Sequence, residues 1–148
     1  MLRAKKLACA AIAVWLSGCA IAPSPPETPA ASKAFPDALS DYKHGVAKRI
    51  VAASAATYSA PLPEVMKSIV VLEITVDGLG LPLNVSVYRS NGYPDLAERA
   101  LASVAKAAPF APPGSALLQG ASSLSFLETF LFRDDDAFQL RSLVAAPD

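Results

Sequence analysis

IVVLEITVDGLGLPLNVSVYRS, residues 69–90, contains the clearest pair of β-strands in the chain. Alternate side chains of a strand point to opposite faces, so one face of the first strand carries a run of apolar residues, namely Val70, Leu72, Ile74 and Val76. The matching face of the second strand carries Leu83, Val85 and Val87. Between the strands, Asp77-Gly78 and Gly80 favour a tight turn. The stretch therefore predicts an antiparallel hairpin that covers one side of a core.

Two amphipathic helices are predicted on either side of this hairpin. The first is expected to start at Ser40 and Asp41, which are good N-cap residues, and to end before Pro61. Its apolar side chains recur at helical spacing: Tyr42, Val46, Ile50 and Ala53. The second is expected to start with Pro94 and to end before Pro109. Its apolar stripe consists of Leu96, Ala100, Val104 and Ala108.

The last segment, SSLSFLETFLFRDDDAFQLRSL (residues 122–143), predicts a long strand, an acidic turn and a short return strand through Phe138 and Leu140. The turn carries Asp134, Asp135 and Asp136. Three neighbouring carboxylates could bind a divalent cation weakly, although such a run on a tight turn is more often simply solvated.

These segments predict an α+β domain. Two helices are expected on one face of a small, mostly antiparallel sheet of three or four strands, in the order α-β-β-α-β. The predicted core consists of Leu72, Ile74, Val85, Val87, Leu101, Val104, Phe126 and Phe130.

The N-terminus has the order of a secretory signal peptide. Basic residues (Arg3, Lys5 and Lys6) precede an apolar run from Leu7 to Leu16. This run is too short to cross a bilayer comfortably, because a membrane-spanning helix needs about 20 apolar residues. The run ends in Leu-Ser-Gly-Cys, residues 16–19, which resembles the lipobox of bacterial lipoproteins. That resemblance implies cleavage after residue 18 and a diacylglycerol on Cys19. An ordinary signal peptide or an uncleaved short anchor is the alternative.

Cysteine use agrees with lipidation of Cys19. The second cysteine, Cys9, lies within the signal run and would leave with it, so the mature chain could form no internal disulfide. Acylation would also remove a free thiol from an oxidising compartment. Ala20 follows the cysteine, whereas lipoproteins kept in the inner membrane usually have Asp there. We therefore expect a lipid anchor in the outer membrane, on its periplasmic face in a Gram-negative bacterium, with the inner membrane as the alternative.

The next segment, residues 20–40, is rich in Pro, Ala and Ser and predicts a semi-extended tether that reaches roughly 60 Å. The chain is thus divided into a signal peptide (1–18), a lipidated cysteine with its tether (19–40), a folded domain (41–144) and a tail (145–148). Removing the three basic residues of the signal peptide leaves 10 basic against 13 acidic residues, a net charge of about −3 (10 − 13). Without a basic stripe, nucleic acid is not an expected partner.

Patterns typical of catalysis are missing from the sequence. There is no nucleophile with a base, no metal-ligand spacing and no phosphate loop, so we expect no enzymatic activity, no cofactor and no metal site. His44 is the single histidine and lies close to Lys43 and Lys48 without a convergent set of ligands. It is expected to be an exposed side chain.

Four segments occur in an order that matches a known family: VLEITVDG (71–78), VYRSNGYPDLAERA (87–100), AAPFAPP (107–113) and FLETFLF (126–132). The order resembles the C-terminal domain of TonB and of its relative TolA, over about residues 42 to 133. The loop Tyr58-Ser59-Ala60-Pro61 departs from the Tyr-Pro usual in the family. Residues 1–18 also do not match the Ser- and His-containing membrane helix by which TonB-like transducers engage their motor.

The resemblance implies a binding function. Domains of this family offer a sheet edge to an extended peptide, so that backbone hydrogen bonds give affinity and side-chain pockets give selectivity. We expect a periplasmic TonB/TolA-like binding lipoprotein that engages envelope proteins, including outer-membrane receptors of TonB-type transport. The alternatives are an energy transducer with an uncleaved anchor and a structural envelope lipoprotein without peptide binding.

The resemblance also places the final strand last in the sheet. The expected binding edge consists of Ser125, Leu127, Thr129, Leu131 and Arg133. Glu128, Arg133 and the turn aspartates are expected to guard this edge against unwanted strand addition, or else to orient the peptide.

Overall fold

The computed structural model describes residues 29–59 and 61–144. The predictions made for the signal peptide, for Cys19 and for the tail lie outside the described residues. The elements follow one another as α1 (Pro29–Ala52), β1 (Ser68–Asp77), β2 (Pro82–Ser90), α2 (Pro94–Ala107), α3 (Ser115–Leu118), β3 (Ser123–Phe132) and β4 (Phe138–Leu140). A 3-10 turn, Arg141–Leu143, follows β4.

The sheet has the strand order β2-β1-β3-β4, and all three strand pairs are antiparallel. The α+β class, the order of the main elements and the short fourth strand are confirmed. Pairing of β1 with β3 is unbroken from Ser68↔Phe132 to Asp77↔Ser123. Two strands that are far apart in sequence therefore form the centre of the sheet.

The core lies between one face of the sheet and the two long helices. The four apolar residues expected on one face of β1 (Val70, Leu72, Ile74 and Val76) are fully buried. They pack with Val46 and Ile50 of α1 and with Val104 of α2. The alternation of buried and less buried residues along β1 is regular, as expected for a strand covered on one side only. Of the predicted core residues, Leu72, Ile74, Val104, Phe126 and Phe130 are buried, while Val85 and Leu101 are half-buried against the same cluster.

The prediction for Val87 is wrong. Its side chain is 40% exposed although it lies opposite Leu72. β2 is the outermost strand, and its register with β1 shifts between Val71 and Leu72 and again between Thr75 and Val76. Such bulges bend an edge strand away from the core.

The expected start of the first helix is also wrong, because α1 begins at Pro29 and passes through Ser40 and Asp41. Pro36 lies inside the helix, where it removes one backbone hydrogen bond. The neighbouring side chains of Phe35, Ala38 and Leu39 pack against the core, and this burial offsets the lost bond. The tether predicted for residues 20–40 therefore gives way to helix from Pro29 onward.

The β1–β2 turn is a tight loop of four residues, 78–81. The N–H of Asp77 donates to the carbonyl of Leu81 (2.9 Å), and the N–H of Gly80 donates to the carbonyl of Asp77 (3.1 Å). Gly80 has a φ of +85°, and a Cβ there would lie 2.3 Å from the carbonyl oxygen of Phe110. Only glycine fits this position. The turn is thus held firmly against the segment that follows α2.

Candidate functional site

The candidate site is the side of β3 that faces away from β1. Backbone groups of successive residues in a strand point to opposite sides. The carbonyl of Phe132 accepts a hydrogen bond from Lys67, on the β1 side, whereas the N–H of Arg133 donates to Ala137, on the β4 side. The odd-numbered residues of β3 therefore direct their N–H and C=O groups away from β1.

β4 closes one end of this side. It pairs with β3 only from Phe130↔Leu140 to Phe132↔Phe138. The outer side of β4 is in turn bridged by the segment after α1, because the N–H of Tyr58 donates to the carbonyl of Phe138 (3.1 Å). The hydroxyl of Tyr58 donates to the carbonyl of Leu131 (3.2 Å). Over this closed end, β3 is an interior strand.

Glu128 marks the end of the closed part. Its Oε1 accepts the outward N–H of Thr129 (3.0 Å) and the N–H of Ser142 (3.3 Å), and its Oε2 accepts the hydroxyl of Ser142 (2.6 Å). The residue is 1% exposed. The carboxylate thus takes the place of a β4 backbone carbonyl beside Thr129 and ties the 3-10 turn to β3.

Burial raises the pKa of the Glu128 carboxyl above its ordinary value, because a buried charge loses its hydration. Three contacts lower the pKa of Glu128 without cancelling this effect: the hydrogen bonds from Ser142 and Thr129 and the positive charge of Lys43. His44 is exposed, as expected, and its Nδ1 lies 2.9 Å from the carbonyl oxygen of Ser142. His44 of α1 therefore contacts the 3-10 turn that Glu128 holds.

Beyond Glu128 the edge of β3 is open. Within the part of the chain that the structure describes, no strand or side chain pairs with the outward N–H groups of Ser123, Ser125 and Leu127. Ser125 is exposed and Leu127 is 39% exposed. We call Ser123–Leu127 the open edge. Below it, Phe126 packs edge-on against Tyr42 of α1, with 5.8 Å between the ring centroids.

β2 forms the other edge of the sheet and differs from the open edge. It begins with Pro82, which has no N–H, and two bulges interrupt its register. Proline and bulges are devices by which proteins protect sheet edges from further pairing. The open edge of β3 is regular and contains neither device.

The structure distributes the five predicted edge residues between the two parts of β3. Ser125 and Leu127 lie on the open edge. The N–H of Thr129 is taken by Glu128, Leu131 pairs with Gln139, and Arg133 closes the hairpin turn to β4. The expectation that β3 is last in the sheet is therefore wrong, since β4 lies outside its C-terminal end.

The expected guard residues also act differently. Asp135 pairs with Arg133, and Asp136 pairs with Lys67, so two of the three turn carboxylates already have cationic partners. Glu128 is a buried ligand of backbone N–H groups rather than an exposed guard. No group of three potential metal ligands occurs among the described side chains.

Sequence reasoning missed the part played by Ser142 and the 3-10 turn. Their only sequence signal is that Glu128 sits on the apolar, even-numbered face of β3. A carboxylate in such a position needs a donor from elsewhere in the chain.

None of the helices within residues 29–59 and 61–144 is long and apolar enough to cross a membrane.

Comparison of the chain with models of known protein families found no match, and comparisons with curated proteins and with solved structures also found none.

Proposed function

We propose that this protein is a TonB/TolA-like periplasmic binding lipoprotein whose open edge accepts an extended segment of an envelope protein. The observation that carries the proposal is the regular, exposed backbone of Ser123–Leu127, next to a part of the same strand that β4 has closed. An added strand would continue the sheet beyond β3 and in line with β4.

The length of the open edge limits the partner segment. In β3, only Ser123, Ser125 and Leu127 direct outward N–H and C=O groups that have no partner within residues 29–59 and 61–144, and Glu128 with the 3-10 turn blocks further pairing. A regular antiparallel strand would therefore pair over about five residues. So short a pairing is typical of a transient contact rather than of a permanent complex.

The remaining parts of the proposal come from the N-terminal sequence. A lipid on Cys19 would hold the domain at a membrane, and Ala20 favours the outer one. Outer-membrane receptors of TonB-type transport are the first partners to test. A lipid-anchored copy could bind such a partner, but it could not by itself transmit force from a motor in the inner membrane.

The test is Leu127→Pro, compared with Leu127→Ser. Both variants lose the leucine side chain, but only proline removes the outward N–H. Binding of a peptide from a captured envelope partner, measured by fluorescence anisotropy, should be lost in Leu127→Pro and largely kept in Leu127→Ser. A thermal melt of each variant shows whether the fold is intact.

Val87→Pro tests the competing edge, because its N–H points outward from β2. This variant should bind the peptide as the wild type does. Loss of binding in Val87→Pro together with normal binding in Leu127→Pro would place the site on β2 and overturn the proposal.

A further inference from the structure

Three leucines stand exposed at the turn between β1 and β2: Leu79 (71% exposed), Leu81 (46%) and Leu83 (61%). They fall within five residues of each other, and we call them the leucine tip. Single exposed apolar residues are normal on a protein surface, but clusters of them mark sites of contact.

The leucine tip is held in place by a rigid turn. Oδ1 of Asp77 accepts the N–H groups of Leu79 (2.8 Å) and Leu81 (2.9 Å). The N–H of Phe110 donates to the carbonyl of Gly80 (3.0 Å) on the other side of the loop. The leucines therefore cannot fold back onto the core without breaking these bonds.

The tip carries almost no charge. Asp77 is the only ionisable residue in the segment from residue 77 to residue 85, and one of its oxygens is occupied by the turn. A surface of this composition suits an apolar environment rather than a charged protein groove.

The chain enters the domain from the same end of the sheet. α1 runs from Pro29 toward Ala52, and the segment that follows it bridges Phe138 at the opposite end of the sheet, where β1 begins. Halfway along α1, Tyr42 donates to the carbonyl of Ala111, the neighbour of Phe110. The N-terminal end of α1 therefore lies on the side of the leucine tip.

We propose that the leucine tip rests on the lipid bilayer that holds Cys19. This inference depends on the lipid anchor in the proposed function. Only nine residues lie between Cys19 and Pro29, so ten Cα–Cα steps (29 − 19 = 10) span at most about 36 Å. The part of α1 before Tyr42 adds about 20 Å. The tip is thus kept within reach of the bilayer surface, where burial of its apolar area is favourable.

A tryptophan reporter tests the contact. The sequence contains a single tryptophan, Trp15, which lies in the predicted signal peptide. A chain cleaved before Cys19 therefore contains no tryptophan, and Trp15→Phe removes the background from any uncleaved chain. Leu79→Trp places a reporter at the tip. Val65→Trp is the matched control, because Val65 is 76% exposed and precedes β1 at the other end of the sheet.

The purified full-length protein is reconstituted into vesicles of phosphatidylethanolamine and phosphatidylglycerol, with and without brominated acyl chains. Emission of Leu79→Trp should shift to the blue and be quenched several-fold more strongly than that of Val65→Trp. Equal quenching of the two reporters would overturn the inference. A blue shift that depends on protein concentration without vesicles would also overturn it, in favour of a second copy of the chain.

Labelling of the same samples with a fatty acid separates the two proposals. Label on Cys19 without quenching at the tip would support the lipid anchor and contradict the bilayer contact. Quenching without label would show that the tip binds membranes without an anchor, which contradicts the proposed link to Cys19. The absence of both results would contradict both proposals.

Discussion

The two parts of β3 belong to one strand and one register with β1, yet they have opposite surroundings. At the C-terminal end, Phe130 and Phe132 are fully buried and contact Phe138 of β4 with ring centroids 5.0 and 5.7 Å away. At the N-terminal end, Ser125 and Leu127 are exposed and have no outer neighbour among the described residues. The core alone does not require this difference, since Leu124 and Phe126 at the open end are buried as well.

The difference arises because β4 covers only part of the outer side of β3. It has three residues, against ten in β3. After Leu140 the chain leaves the strand direction and forms the 3-10 turn, and the carboxylate of Glu128 fills the gap. Edges left open are a hazard for aggregation. In the proposed function, the open edge is the part of β3 to which a partner strand would add.

The largest effect is expected from truncating the closed end. Phe130→Ala should lower the free energy of unfolding by about 3–5 kcal/mol, because it leaves a cavity beside the rings of Phe132 and Phe138. The matched change at the open edge, Leu127→Ala, should cost less than about 1 kcal/mol. Urea unfolding of both variants measures the difference between their free energies of unfolding. Similar losses in the two variants would mean that Leu127 is covered in solution.

A smaller effect is expected from Glu128→Ala. The change leaves the N–H groups of Thr129 and Ser142 without their acceptor, which should cost about 1–3 kcal/mol. The amide of Thr129 should then exchange with solvent faster, and the open edge should extend to Thr129. Hydrogen exchange followed by NMR reports both changes. Unchanged exchange at Thr129 would show that Glu128 does not separate the closed part of β3 from the open edge.

The smallest effect on stability is expected from a change of pH, which acts through the ionisation of Glu128. Since burial raises the folded-state pKa of Glu128, the folded protein binds a proton more readily than the unfolded chain does. The stability gained from that proton is fully present below the pKa of the unfolded chain, and it is lost as the pH rises through the raised pKa of the fold.

Glu128→Gln removes this ionisation and keeps a side-chain acceptor. Subtracting its stability curve from that of the wild type, between about pH 4 and about pH 8, should isolate the contribution of Glu128. The difference should favour the variant more as the pH rises. A flat difference curve would indicate that the carboxylate is solvated in both states.

Local patterns predicted the features that depend on neighbouring residues. The period of two along residues 70–76 identified the buried face of β1 correctly, and Phe138 with Leu140 identified the short return strand. Both signals come from burial on one side of a strand, which leaves a repeat in the sequence. The turn at Asp77 and Gly80 was predicted for a different local reason, because its backbone conformation restricts the residue types.

Features that depend on distant contacts were not predictable in this way. The position of β4 outside β3 depends on how two strands meet after folding, and the role of Glu128 depends on Ser142 in another element. The length of α1 was missed because Pro36 argues locally against a helix, whereas the packing of Phe35 and Leu39 on the core outweighs it.

The early start of α1 also determines how this protein would meet a partner. Each helical residue advances the chain by about 1.5 Å, compared with about 3.1 Å in an extended tether. With a lipid at Cys19, the domain is therefore confined to a thin layer above the membrane. A partner embedded in the same membrane would be met by diffusion in two dimensions and at a high effective concentration, so that even a short strand pairing would suffice. A soluble peptide would gain nothing from this confinement. The anchor would therefore favour membrane partners through their location, independently of side-chain contacts.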